Sequence, residues 1–350
     1  MKYSIKKHKM VSAALVILIP LILFGCSFII KTFSILQENE DGELVSYVKA
    51  GKIATFKFSG TISIDGSGTN ESFIVSFLVP RSWKARENST VTFTEDKFKP
   101  GEDNKMILIP ESEQPSGKGM SWAAALKKKY GVGLNVLSDM EWVTYKSDPY
   151  PEVGGTINYT VTIKCKSGMS NLKFKPSFFI NHSSDGLGTD NQHFGEMDVK
   201  DCFEVVDGQG SVIDFCSTHY YQINPLSSLQ DDFVTFTFQG DVYTNELIKA
   251  DKVYFEATAY TEEGNKYTVS EKSTKTLMKR EEKLPRYNTT IWPAGFFDIP
   301  EGETVSYIEY VFTNADGTVK ITQSDDNRDN NGEKVEEGAQ EPFVFELQCK

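Results

Sequence analysis

Apolar and polar residues alternate with a period of two along most of this chain. The segments 52–62 (KIATFKFSGTI), 71–79 (ESFIVSFLV) and 89–95 (STVTFTE) read as half-buried strands, because successive side chains on an extended backbone point to opposite faces. The same pattern recurs at 156–165, 171–180, 231–240, 252–260 and 307–314. Gly, Asn, Asp and Pro punctuate these runs, as turn chemistry requires. Strands do not alternate with helices in the rhythm of a parallel-sheet nucleotide fold. Only 121–131 (SWAAALKKKYG) predicts a helix: Ala and Leu propagate it, lysines crowd its C-terminal end, and Gly131 or Gly133 stops it. Ser121 is its N-cap. The Gly119-Met120-Ser121-Trp122-Ala123 run is no nucleophile elbow, since a loop and not a buried strand precedes the serine. The predicted class is therefore all-β: tandem β-sandwich modules, one short helix and a small β module at the C-terminus.

The first 25 residues break the pattern. Lys2, Lys6, Lys7 and Lys9 precede an apolar run, the form of an export signal. Its end, Leu23-Phe24-Gly25-Cys26, resembles the lipobox cut by the lipoprotein signal peptidase, with Phe24 where a small residue is usual. A retained helix over Met10–Ile30 is the competing reading, being about as long as a bilayer core is thick. The coincidence of Leu, Gly and Cys favours lipidation at Cys26. Both readings export the chain and tether it to a membrane.

Removing residues 1–25 takes four lysines and no acid, leaving 33 basic residues against 49 acidic and a net charge of −16. A chain so acidic repels nucleic acid. Cys165, Cys202, Cys216 and Cys349 remain beside Cys26; four cysteines allow three pairings, and buried free thiols are the other reading. No C-x-x-C spacing suggests zinc or redox chemistry.

The segments VKAGKIATFKFSGTI and PEVGGTINYTVTIKC share a turn glycine followed by an alternating strand, as two modules starting alike would. VYFEATAYTEEGNKYTVSEKST resembles the closing hairpin of fibronectin type III and related immunoglobulin-like modules, which implies fold and not function. The expected divisions are a signal at 1–25, a tether at 26–43 and sandwich modules at 44–148 and 149–283. A small module follows at 284–350, where Asp316-Gly317 supplies positive φ to a hairpin turn. Taken with SWKARENSTVTFTED, SWAAALKKKYGVGLNVLSDMEWVTYKSD and the lipobox, the exported chain resembles an uncharacterised family of Bacteroidetes lipoproteins. The resemblance implies an outer-membrane lipoprotein without assigned activity. Some members stand among glycan-acquisition systems, which implies a glycan-related role by association.

Candidate chemistry is sparse. His182, His193 and Glu196 fall in the 181–198 loop, where a metal site or catalytic dyad is one reading and a polar crossover loop the other. Asn327, Asp329 and Asn331 stand at alternate ligand spacing like the start of a calcium loop, but the twelfth position is Gly338 and not glutamate. No other cofactor is indicated. A rigid exposed aromatic ring binds the apolar C–H face of a sugar with little loss of entropy. Trp83, Trp122, Trp142 and Trp292 are the tryptophans to weigh, with Tyr220, Tyr221, Phe296 and Phe297 in loop-like contexts. Trp122 and Trp142 read as core. Trp292, beside Phe296 and Phe297, sits outside any clean strand and is the candidate plate. The expectation is a non-catalytic binding lipoprotein of the bacterial envelope, with the leaflet open. Its partners are a membrane, a carbohydrate and other envelope proteins. The alternatives are an adhesin-like spacer and, below it, a hydrolase using 181–198.

Overall fold

The computed structural model describes residues 27–37, 42–64, 70–97, 100–101, 103–151, 154–187, 194–328, 334 and 340–348. Its first strands are β1 (Ser27–Ile35), β2 (Ile53–Ile64), β3 (Phe73–Pro80) and β4 (Ser89–Glu95). After helix α1 (Trp122–Tyr130) come β5 (Met140–Lys146), β6 (Gly155–Lys166), β7 (Ser170–Phe174) and β8 (Ser177–His182). β9 (Phe194–Asp198), β10 (Phe203–Val206) and β11 (Gln209–Asp214) complete the first unit. The second unit holds β12 (Tyr221–Asn224), β13 (Val234–Gln239), β14 (Tyr254–Thr261), β15 (Lys266–Val269) and β16 (Arg286–Ile291). The turn α2 (Pro293–Phe296), β17 (Val305–Thr313), α3 (Gln323–Asp326) and β18 (Phe343–Glu346) follow. The chain is all-β, in two β-sandwich units, as the alternation predicts.

In the first unit, β1–β2–β6–β4 form one antiparallel sheet and β9–β8–β3–β5 the facing one. Aromatic rings fill the gap: Phe58 meets Phe178 with centroids 5.2 Å apart, and Phe56 meets Phe203 at 5.0 Å. β6 keeps the predicted alternation, with Ile157, Tyr159, Val161, Ile163 and Cys165 inward. β3 does not: all eight of its residues are buried, although a half-buried strand was expected. It lies in mid-sheet, with Phe73, Val75 and Phe77 among the core side chains, while α1 packs over the far face at neighbouring β5. There Trp142 donates its indole N–H to the Gly131 carbonyl at 3.1 Å. The helix begins as expected, with Ser121 Oγ accepting from the Ala124 N–H at 3.3 Å.

Strand pairing redraws the expected divisions. Residues placed in the tether form β1, hydrogen-bonded along β2 from Ser27↔Ser63 to Ile35↔Phe56. β6, expected to open the second module, lies between β2 and β4. The boundary near 148 is therefore crossed, and the first core extends to Phe215. The boundary near 283 is crossed as well, since β16 pairs with β13 while β17 pairs with both β14 and β18. Residues 284–350 thus belong to the second unit and form no module of their own. The 171–180 run is also divided, because Pro176 has no N–H to donate to a ladder. β7 before it joins a small sheet with β10 and β11, and β8 after it joins the sheet of β3.

The second unit stacks β12–β13–β16 against β15–β14–β17, with Phe236 and Phe255 meeting at 4.8 Å and Phe238 and Phe312 at 5.2 Å. In the 314–318 turn only Gly317 takes positive φ, at 74°. Asp316, expected to share that conformation, instead accepts from the Thr318 N–H at 3.0 Å and caps the turn. Cys202 and Cys216 form a disulfide, Cys165 is a buried free thiol, and Cys349 lies outside the described residues. Burial pushes the Cys165 thiol up to about 12, so it stays protonated and inert.

Candidate functional site

β13 and β16 are in register with Val234 opposite Ile291. One residue outside that pair on each strand stand Phe233 and Trp292, 72% and 47% exposed. They are the exposed Phe and Trp side chains among the described residues. The Trp292 ring is seated over Gly295, where an added Cβ would come within 2.3 Å of Cε3. Glycine is needed there for close approach to the ring. Pro293 opens α2, and the Ala294 N–H donates to the Gln230 carbonyl at 3.2 Å, fixing the turn to the preceding loop. Phe296 and Phe297, expected beside Trp292 in a plate, are 7% and 3% exposed and belong to the core. Phe296 turns in toward Phe255, at 6.1 Å. Phe233, at the same end of the sheet, is the other exposed ring. Its phase in the strand, on the side of Thr235 and Thr237, was the signal that marks it as outward.

A second constellation joins the two units and was not singled out in the sequence. His219 Nε2 donates to Asp214 Oδ2 at 2.8 Å, and Nδ1 donates to Asp326 Oδ2 at 2.5 Å. Asp214 ends β11 in the first unit and Asp326 ends α3 in the second. Carboxylates only accept, so both ring nitrogens carry protons and the ring is an imidazolium. Burial alone would lower the His219 pKa, but its hydrogen bonds to Asp214 and Asp326, together with their charges, raise it to about 9. Burial would raise the Asp214 pKa, but the His219 hydrogen bond and charge, then Lys173 at 3.0 Å, lower it to about 2. Tyr221 stacks on the imidazole at 5.0 Å. Asp326 Oδ1 also accepts from the Tyr220 N–H at 2.6 Å. An imidazolium held on both sides has no lone pair for a substrate proton. The arrangement is a clasp.

The remaining candidates fall elsewhere. His182 is buried among Phe28, Phe73 and Tyr150, with centroids 4.6, 5.7 and 5.8 Å away, and pairs with Asp185 at 3.7 Å. Burial, then the Asp198 charge, raises the Glu196 pKa. His193 lies outside the described residues, as do Cys26, Asp329 and Asn331. Asn327 accepts from the Gln323 side-chain amide at 3.3 Å, and the neighbouring Asp325 pairs with Lys334 at 2.8 Å. Trp83, Trp122 and Trp142 are core, Tyr220 is buried and Tyr221 is half-buried at the clasp. Among the described residues no helix is long and apolar enough to cross a membrane, and no group of three or more His, Cys, Asp or Glu is placed to hold a metal.

No curated protein matches this chain. Among solved structures it is similar to the C-terminal domain of the antigen I/II-family protein AspA of Streptococcus pyogenes. That match has a TM-score of 0.26 at 10% identity, over 85% of this chain and 97% of that one. The pilus 2b backbone protein of group B streptococcus gives 0.21 at 13% identity, over 86% and 93%. AvmM, which catalyses macrocyclization in alchivemycin A biosynthesis, gives 0.27 at 10% identity, over 53% and 92%. At TM-scores this low, the likenesses carry no inference about function. Two family models divide the chain at the clasp itself, one ending at His219 and the other starting at Tyr221. Through residues 37–219 the chain belongs to the family described as a domain of unknown function, DUF4961, and residues 221–321 match a second domain of unknown function, DUF8578.

Proposed function

We propose that this is an exported, lipid-anchored, non-catalytic protein of the bacterial envelope whose second unit binds saccharide on the Trp292–Phe233 plate. The plate itself carries the reading: two rings sit exposed at the same strand ends, one of them seated over Gly295, in a unit whose other Phe side chains are buried. A preformed ring spends little entropy on binding, and one aromatic contact is worth about 0.5–1.5 kcal/mol beyond burial. The basic, apolar start ending at Cys26 and the Cys202–Cys216 disulfide support export, because disulfides persist in oxidising compartments. The saturated imidazole of His219 and the enclosed His182 support a binding role over hydrolysis.

Retention of the chain in gels containing neutral polysaccharides tests the plate. Trp292→Ala and Phe233→Ala are expected to weaken retention by about two- to tenfold each. Their thermal midpoints should stay near wild type, since removing an exposed ring opens no cavity. Retention unchanged in both variants refutes the plate. The anchor is tested separately by fatty-acid labelling, which Cys26→Ala should abolish. A wild type that takes up no label has no lipid at Cys26.

A second reading, a spacer that projects or pairs with an envelope partner, is favoured by the clasp, which links the two units through one half-buried cation. It takes precedence if no polysaccharide retains the chain.

A further inference from the structure

The solvent face of the β14–β17 sheet lies apart from the plate, and its pattern is unlike a plain solvated face. Outward positions are Glu256, Thr258 and Tyr260 on β14 and Tyr307, Glu309 and Val311 on β17. Tyr260 is in register with Tyr307, and Thr258 with Glu309. The two tyrosine rings stack in parallel, centroids 4.5 Å apart and planes 10° apart. The Tyr260 hydroxyl donates to Glu309 Oε2 at 2.8 Å, so one carboxylate is held in place beside the ring pair. Next to it lies a hollow of about 160 Å³ lined by Glu256, Thr258, Thr268, Ser270, Glu309 and Pro342. Glu256 is fixed by Lys272 and by Lys320, the latter at 3.1 Å, and Thr258 and Thr268 share a hydrogen bond of 3.0 Å across the strands.

We propose that this sheet face is a second saccharide subsite, with the Tyr260–Tyr307 pair as its aromatic wall and Glu309, Thr258 and Thr268 as its hydrogen-bonding floor. The proposal rests on the saccharide reading of the Trp292 plate and extends it to a separate surface. A sugar ring offers hydroxyls that both donate and accept, and apolar C–H faces. The floor supplies carboxylate acceptors and hydroxyls of either sense, already oriented by their neighbours, and preorganisation lowers the cost of binding. Lys272 and Lys320 both neutralise Glu256, while Glu309, held by the Tyr260 hydroxyl, offers acceptor lone pairs to the hydroxyls of a neutral ligand. The hollow is smaller than the roughly 300–1,000 Å³ of an enclosed small-molecule site, and it suits one ring of a longer chain lying across the sheet.

Affinity electrophoresis of the full chain through gels of starch, xylan, galactomannan and mixed-linkage glucan, with alginate as the charged control, tests this. The polymer that retards the wild type should retard Tyr307→Ala and Glu309→Gln about three- to tenfold less strongly. Retardation should persist in molar salt, since a neutral ligand leaves no ion pairs to screen. Glu309→Gln preserves shape, so a loss there with an unchanged thermal midpoint reports recognition and not unfolding. If Trp292→Ala abolishes retardation while Tyr307→Ala and Glu309→Gln leave it intact, the sheet face is no subsite and the plate stands alone. If no neutral polymer retards the wild type, both readings fall. Retardation by alginate alone, lost in salt, also overturns the subsite.

Discussion

His219 commits both ring nitrogens to carboxylates from different units, and the chemistry of that residue sets a testable pH dependence. Its pKa rises from an ordinary 6.5 to about 9 in the folded chain. The stability it supplies is therefore fully present below about 6.5 and is lost as pH climbs through about 9. Asp214 falls from 3.8 to about 2, so its contribution is present above 3.8 and is lost as pH drops through about 2. Between those limits the clasp is closed. His219→Ala takes the imidazolium from the buried Asp326 carboxylate and leaves Asp214 with Lys173 alone, which should cost about 3–5 kcal/mol at neutral pH. The deficit should shrink as pH climbs from 6.5 through about 9, where the wild type loses the contribution of the same imidazolium. Thermal melts across pH measure this, and a deficit that stays constant from about pH 6 to 9 would refute the clasp. The imidazole was visible in the sequence; its partners, 5 and 107 positions away, were not.

At the level of elements, the period-two pattern did most of the placing. β13 buries Val234, Phe236 and Phe238 and half-exposes Thr235, Thr237 and Gln239, as its alternation requires. Phe236 packs on Phe255, Tyr310 and Phe345, with centroids 4.8, 5.0 and 5.6 Å away. Phe236→Ala should accordingly cost about 3–5 kcal/mol in denaturant titration. Thr235→Ala gives up a 2.8 Å hydroxyl contact with Thr290 across the strands, and a cross-strand pair contributes at most about 1 kcal/mol. Thr237→Ala should cost about as little. Equal losses on the two faces would mean that the strand is buried on both sides, as β3 is. There alternation misleads: Ser76 on β3 and Thr144 opposite it on β5 look like solvent positions, yet they share a 3.0 Å hydrogen bond under cover. A paired hydroxyl is tolerated in a core, so polarity alone did not mark the outer face.

In the whole molecule, sandwich class, strand positions, the helix α1 and its Ser121 cap were legible in the chain, because each depends on neighbours within a few residues. The phase that points Phe233 outward was equally local. Which sheet each strand joined was not, since β6 reads the same whether it pairs with β2 or with a later strand. Only the packing of cores settled that the first unit runs to Phe215 and that β16, β17 and β18 close the second. The same holds for side chains at element ends. Trp292, Phe296 and Phe297 are near neighbours in the chain, yet the turn of α2 sends the two phenylalanines into the core and leaves the tryptophan on Gly295. Local periodicity is encoded by the 3.3 Å rise and two-residue pleat of an extended chain, which any short segment carries within itself. Sheet order, the Asp214–His219–Asp326 clasp and the Tyr260–Tyr307 stack each need residues distant in sequence to meet. Those meetings are decided by burial of two complete cores, a property of the folded chain as a whole.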